Sequence, residues 1–190
     1  MNNIENFTAK HPLDKRTGSF EDNELQQYEG KVPEELLQFL KQEQKSVYGD
    51  GFFWTVSPKD FHDTFTNWGL DGENCFAFLR SSFGCIAFYS ADKYYVLNPH
   101  LGLCTTISGN SFNVVFNLIL CNTTSISTGF FYDLHLKYKD TLQELQADEI
   151  YTLVPSIPLG GDRQTSKIEI VKIDVQLDIL AQLYNHRATD

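Results

Sequence analysis

Five histidines, four cysteines and 25 carboxylates are the side chains of this 190-residue chain with which chemistry could be done. Nucleophilic catalysis needs a Cys or Ser beside a His base that a third group holds in place. His11, His62, His100, His135 and His186 are scattered, and none falls in a nucleophile elbow or a Cys-His signature. No catalytic residue is therefore expected. A small hydrolase that uses His100 or His135 with a neighbouring carboxylate is the enzyme alternative, and it requires a concave pocket in which one of those imidazoles is paired to an acid. His62 and Asp63 are adjacent rather than spaced i, i+4, and His100 stands alone in a turn, so both histidines read as surface polar residues and no metal site is expected. Gly160-Gly161-Asp162-Arg163 has neither the Gly-x-Gly-x-x-Gly nor the Gly-Lys-Ser/Thr pattern and opens no helix. It reads as a tight turn, and no cofactor is implied.

What remains is a surface argument. Asp50, Asp60, Asp63, Asp71 and Glu73 cluster around the aromatic segment that contains Phe52, Phe53, Trp54, Phe61, Phe65 and Trp68, with Glu34 and Glu35 just upstream. An acidic patch beside aromatic anchors recognises a basic protein through electrostatic steering and a buried hot spot. The competing reading is a solvated helix face and an aromatic core. The formal charge of −10 sets a field that repels a phosphate backbone, so direct nucleic-acid binding is not expected.

The elements that would position these residues follow from periodicity. Residues 1–19 are polar and mixed, broken by His11-Pro12 and Gly18, and read as a flexible lead-in. A short helix over 21–29 closed by Gly30 precedes a second that begins at Pro33, with Leu36, Leu37 and Leu40 on one face. Gly49-Asp50-Gly51 turns the chain into a strand over 52–56. Ser57 is placed to cap a helix with Pro58 at its first position and Phe61, Phe65 and Trp68 facing the core. Four β-rich runs follow at 76–79, 86–89, 94–97 and 103–107, and the gaps between them are too short for crossover helices, so they form an antiparallel meander.

Ser111 can cap a helix carrying Phe112, Val115, Phe116 and Ile119. The polar stretch Asn122 to Thr128 reads as a connection and lobe boundary. Beyond it come a helix over 130–139, a strand ending at Pro155, a turn at Gly160-Gly161, a strand over 168–173 and a final helix over 175–185 that buries Leu177, Leu180 and Leu183. The expected fold class is α+β: an antiparallel β-meander flanked by helices, with a smaller C-terminal α/β lobe packed against it.

Composition agrees with a folded chain. Hydrophobic residues make up 42% and charged residues 21%, with 15 Phe, 9 Tyr and 2 Trp, so disorder does not describe the whole. A chain of this length buries about 70% of its extended surface without help from disulfides or metals. The N-terminus lacks a basic and an apolar region, and the apolar stretch around Val114 to Cys121 is interrupted by Asn117, so neither a signal nor a membrane span is read. Cys75, Cys85, Cys104 and Cys121 are well separated and read as reduced, buried thiols of a cytoplasmic protein.

Two linked motifs carry a resemblance. The run Tyr28-x-Gly30-Lys31-x-Pro33-x-Glu35-Leu36-Leu37-x-Phe39, then Tyr48-Gly49-Asp50-Gly51-Phe52-Phe53-Trp54-x-Val56-x-Pro58-x-Asp60-Phe61 and Tyr95-Val96-Leu97-Asn98-Pro99-His100-x-Gly102, resembles the GAD-like domain of bacterial toxin-immunity proteins. Asp148-Glu149-Ile150-Tyr151-x-x-Val154-Pro155-x-x-x-Leu159-Gly160-Gly161, with Leu180-Ala181-Gln182-Leu183 after it, is similar to the C-terminal domain of the Tdi family, the immunity proteins of type VI secretion DNase effectors. The resemblance implies a GAD-like domain over 20–121 and a Tdi-type domain over 122–190. It further implies a non-enzymatic cytoplasmic immunity protein of bacterial competition that binds a cognate toxin, a basic nuclease, and blocks it. Glu34, Glu35, Asp50, Asp60, Asp63, Asp71 and Glu73 are then the candidate toxin-binding residues, chosen from charge and not from the family pattern. An immunity or regulatory module of the SMI1/KNR4-like superfamily is the alternative binding protein, and it leaves Gly160-Gly161 unexplained.

Overall fold

The computed structural model describes residues 4–21 and 23–187, with side chains through residue 185. His186 and the first three residues of the expected lead-in thus lie outside the described side chains. Seven strands form one sheet in strict chain order, each antiparallel to the next: β1 (Leu13–Gly18), β2 (Lys45–Tyr48), β3 (Phe53–Thr55), β4 (Phe76–Ser81), β5 (Ile86–Ser90), β6 (Lys93–Asn98) and β7 (Leu103–Thr106). Tight turns join β2 to β3 and link β4 through β7, as antiparallel neighbours allow, whereas longer helix-bearing segments connect β1 to β2 and β3 to β4. The β2–β3 turn places Gly49, Asp50 and Gly51 all at positive φ, and the Asp14 carboxylate accepts from the amides of Asp50 and Gly51 at 3.2 and 2.8 Å.

Layers cover both faces of the sheet. On one face lie α1 (Glu5–Lys10), α2 (Glu34–Glu43), α4 (Phe112–Val114) with the π-helical turn Val115–Ile119, and α5 (Thr123–Phe130). Phe7, Leu36, Leu37, Phe39, Leu40, Phe116 and Phe130 pack there against Tyr48, Phe53, Phe78 and Val96. The other face carries α3 (His62–Asn67), α6 (Tyr132–Tyr138), a two-stranded sheet of β8 (Glu149–Val154) and β9 (Lys167–Lys172), and α7 (Ile173–Arg187). There Phe61, Phe65 and Leu177 pack on Ile86 and Phe88, while Phe131, Leu134, Tyr151 and Leu153 pack on Val47, Trp54 and Phe83. The fold is α+β, with the C-terminal β8–β9–α7 unit tied to the large sheet by Tyr151 N–H donating to the Ser82 carbonyl at 2.8 Å and Tyr184 O–H donating to the His100 carbonyl at 2.6 Å.

A β-bulge in β4 decides which side chain faces which layer. Ala77 pairs with Phe88 and Leu79 with Ala87, so Phe78 is an extra residue with no partner of its own. Strand side chains alternate with a period of two, and one inserted residue shifts that alternation. Phe76, Phe78 and Leu79 consequently all join the α2-side core, and Arg80, opposite Trp54 and Ile86, turns toward α3 and α7.

Several expectations need correction. Residues 5–18 are not a flexible lead-in: α1 and β1 are built into the fold, with Phe7 and His11 fully buried. Phe7 supplies the apolar anchor, and the Asn117 carboxamide accepts from the Asn6 amide at 3.1 Å. Among the described residues of 21–29, the expected helix is replaced by the 3₁₀ turn Gln26–Tyr28. Asn122 to Thr128 is not an open connection but the start of α5, because Asn122 accepts from the Ser125 amide at 2.9 Å and caps it while Ile126 and Phe130 face the sheet. Phe131, at φ 64°, separates α5 from α6, and the helix expected over 130–139 is α6, Tyr132–Tyr138. Ser57 makes no cap; a 3₁₀ turn Pro58–Phe61 intervenes before α3. Cys75 and Cys85 are buried thiols, whereas Cys121 is half-buried and Cys104 is exposed, because all four residues of the edge strand β7 are exposed.

Candidate functional site

Tyr28, the last residue of the first 3₁₀ turn, lays its ring edge-on against Phe76 at the start of β4, with centroids 4.7 Å apart. Tyr89 on β5 is the cross-strand partner of Phe76. These three aromatics line a surface cleft of about 490 Å³ whose other walls are Lys31, Val32, Asn74 and the carboxylates Asp71, Glu73 and Asp92. The 3₁₀ turn Gly72–Asn74 presents Asp71 and Glu73. Gly72 is required there, since a Cβ would lie 2.3 Å from the His62 carbonyl oxygen. Asp92 sits in the two-residue β5–β6 turn at φ 60°, where Asp is among the tolerated non-glycine residues, and its carboxylate accepts from the Tyr89 hydroxyl at 3.2 Å.

The electrostatics of the cleft are negative. Burial and the charges of Glu73 and Glu24 push the Tyr28 phenol up to about 12, and the Asp92 carboxylate helps raise Tyr89. Tyr28 O–H shares a 3.1 Å hydrogen bond with His62 Nε2, and His62 Nδ1 stands 3.9 Å from Glu73. Two exposed carboxylates extend this surface. Asp63 follows His62 in α3, and Asp60 lies in the turn just before it, its carboxyl raised by desolvation although the side chain is exposed, as befits a group in a recess.

Of the seven acidic candidates, the structure thus brings Asp71 and Glu73 into one cleft, with Asp60 and Asp63 beside the His62 partner of that cleft. Glu34 and Glu35 are exposed in the first turn of α2, directly after Val32, and Glu34 accepts from Gln38 Nε2 at 2.6 Å. Asp50 is elsewhere: it is paired with Lys139 at 2.5 Å in the β2–β3 turn, which holds its carboxyl below the usual range. Asp92 was missed because it is separated in sequence from the aromatic segment, and only the pairing of β4 with β5 brings it close.

A second cleft, also about 490 Å³, opens between the large sheet and the C-terminal unit. Arg80 and Trp54 form its sheet side, Ser57, Asp60, Phe61 and Thr64 one wall, and Asp148 with the start of α7 the other.

The imidazoles do not form the arrangement a hydrolase needs. His100 is fully buried, not a surface residue: its Nε2 meets the Phe83 carbonyl at 2.8 Å and its ring stacks on Phe131. His135 is 1% exposed, and its Nδ1 is 3.0 Å from the Ser82 hydroxyl. Burial holds both near 4. Neither is hydrogen-bonded to a carboxylate. Among the described residues, no group of three or more His, Cys, Asp or Glu is arranged to hold a metal ion.

Fold and surface together define a layered α+β protein with an acidic cleft lined by aromatic side chains. Residues 2–101 match the GAD-like domain family and residues 116–184 match the C-terminal domain of the T6SS immunity protein Tdi1. The chain belongs to the GAD-like family and carries the Tdi1-type C-terminal domain, which gives it a type VI secretion immunity role. Its fold is similar to the crystal structure of Atu4351 from Agrobacterium tumefaciens, with a TM-score of 0.75 and 19% identity over 94% of this chain and 88% of that one. No curated protein sequence matches the chain. No helix among the described residues is long and apolar enough to cross a membrane.

Proposed function

We propose that this protein acts in the cytoplasm by binding its cognate toxin, a basic nuclease, and covering the cationic surface on which that toxin would bind DNA, with no bond made or broken by the immunity protein itself. The observation that carries the reading is the cleft in which Asp71, Glu73 and Asp92 surround Tyr28, Phe76 and Tyr89. A nuclease channel is positively charged because it holds phosphates, so an acidic surface offers it complementary charge and competes with the substrate. Aromatic side chains at the floor supply the apolar anchor that charge alone does not. Asp60, Asp63, Glu34 and Glu35 extend the steering field, while Asp50, already neutralised by Lys139, contributes little to it.

The test is direct. The purified protein, mixed with the toxin encoded beside its gene, abolishes DNA cleavage at about equal stoichiometry, as expected of a tight complex. Cleavage that persists at large excess would defeat the reading.

A further inference from the structure

Among the described residues, Arg80 heads the large fully buried side chains and has no counter-ion. Its guanidinium donates to the Ser81 carbonyl at 3.3 Å and the Ala147 carbonyl at 3.0 Å, and its Cζ lies 4.5 Å from the centre of the Trp54 ring. No carboxylate among the described residues lies within ion-pairing distance. Asp148, the acid whose field it feels, is engaged instead by Lys172 at 2.7 Å. A guanidinium carries five donors, and two carbonyls leave part of that capacity unused. Burial pushes Arg80 down to about 9, and the field of Asp148 only partly opposes it.

The same cleft contains a second uncompensated group. Ser57 is 1% exposed, and its hydroxyl has no hydrogen-bond partner. Buried polar atoms are nearly always satisfied, so an orphan hydroxyl and an unpaired buried cation lining one cavity point to a missing acceptor. The start of α7 opens at the wall of the cleft, where Ile173, Asp174 and Val175 line it, and a helix start favours negative charge. Trp54, Val56, Phe61 and Leu177 give the cleft its apolar walls, and Lys45 and Lys172 also line it.

We infer that the cleft between the large sheet and α7 is a binding site for an organic monocarboxylate, its carboxylate held by Arg80 and Ser57 and its apolar body packed on Trp54 and Phe61. The planar guanidinium matches a carboxylate, and the aromatic walls match a hydrocarbon body. The rim weighs against a phosphate: Asp60, Asp148 and Asp174 outnumber Lys45 and Lys172 there, and Lys172 is already held by Asp148 and Glu149, so a dianion would meet net negative charge, whereas a single negative charge at the floor is set against Arg80. This site is separate from the acidic–aromatic cleft proposed for toxin binding, and its test needs no toxin.

Trp54 is a reporter built into the wall. In a Trp68→Phe background, phenylacetate titrated into the full-length protein changes Trp54 fluorescence in a saturable way and raises the melting temperature. Phenethylamine and inorganic phosphate do neither. Arg80→Gln weakens binding by at least about tenfold, and Ser57→Ala weakens it severalfold. A peptide ending in phenylalanine distinguishes a protein chain end from a free carboxylate, since the chain end is the source if the peptide binds more tightly than phenylacetate. If Arg80→Gln does not fold, Ser57→Ala carries the test, and unchanged affinity in it overturns the site. The inference also fails if the wild type gives no saturable response up to about 10 mM, or if phosphate binds as well as phenylacetate.

Discussion

The His135 imidazole and the Ser82 hydroxyl meet at 3.0 Å beneath the β4–β5 turn, in a place that water does not reach. Around that imidazole, Lys139 adds a positive charge, Asp50 a negative one, and the Gly49 and Asp50 carbonyls face the ring. Desolvation prevails and holds His135 near 4, as it does His100, where Arg163 adds to the lowering and the Phe83 carbonyl opposes it. Both histidines are neutral in the folded protein, and in the unfolded chain they take up protons near 6.5. Stability is therefore undiminished above pH 6.5 and falls as the pH drops toward 4, by about 3 kcal/mol for each histidine at an unfolded-to-folded difference of this size. Denaturant melts at pH 7, 5.5 and 4.5 check this, and a flat profile across that window would contradict it. The carboxylates Asp50, Asp148 and Asp162, held low by Lys139, Lys172 and Thr165, add a separate loss at more acidic pH.

Gly160 and Gly161 carry different constraints. Gly160 has φ 88° with open space where a Cβ would stand, so Gly160→Ala costs about 1 kcal/mol from backbone strain alone. A Cβ on Gly161 would stand 1.8 Å from the Pro155 carbonyl oxygen and 2.6 Å from Ser166 Oγ, the hydroxyl that donates to that same carbonyl. Gly161→Ala forces the backbone apart and is expected to be the more damaging by at least about 2 kcal/mol. Parallel urea melts of the two variants decide the order.

Phe7 touches Tyr48, Phe53 and Phe116 with ring centroids 5.4–5.9 Å apart and is fully buried. Phe7→Ala should cost about 3–5 kcal/mol, the usual range for a buried aromatic. A loss under about 1 kcal/mol by chemical denaturation would mean that α1 is dispensable.

Charge removal separates steering from folding. Asp71→Asn, Glu73→Lys and Asp92→Asn together slow association with the basic toxin at low salt by about tenfold or more and flatten its salt dependence, with the melting temperature nearly unchanged. Asparagine suits position 92 because it tolerates the left-handed backbone there. Asp50→Asn, which breaks an exposed pair with Lys139 and keeps a residue tolerant of the left-handed backbone there, alters stability by less than about 1 kcal/mol and leaves the association rate as it was. Stopped-flow mixing over a salt series reads both outcomes.

Much of the architecture was legible in local pattern. The meander, α2 and the α3 stripe of Phe61 and Phe65 follow from periodicity and turn residues, and the C-terminal hairpin follows from Pro155 and Gly160-Gly161. What escaped depends on tertiary partners. Six residues of polar sequence become α1 because a core on the far side of the chain receives Phe7, and Asn122 reads as a loop until its side chain is seen to cap α5. For the acidic surface, linear proximity grouped Asp50 with Asp60, although the β2–β3 turn delivers Asp50 to Lys139, and it omitted Asp92, which strand pairing supplies. Arg80 drew no notice because its type says nothing about burial.

A strand has a reading frame of two, and Phe78 is the single letter that shifts it. Were β4 to run through Phe78 in plain alternation, with no bulge, Arg80 would be carried among the phenylalanines under α2, and Leu79 would be left over the cleft beside Trp54. The bulge thus settles which side of the sheet holds the only fully buried guanidinium among the described residues, and an in-frame deletion of Phe78 would take a ring from the core yet leave the charged cavity floor where it is.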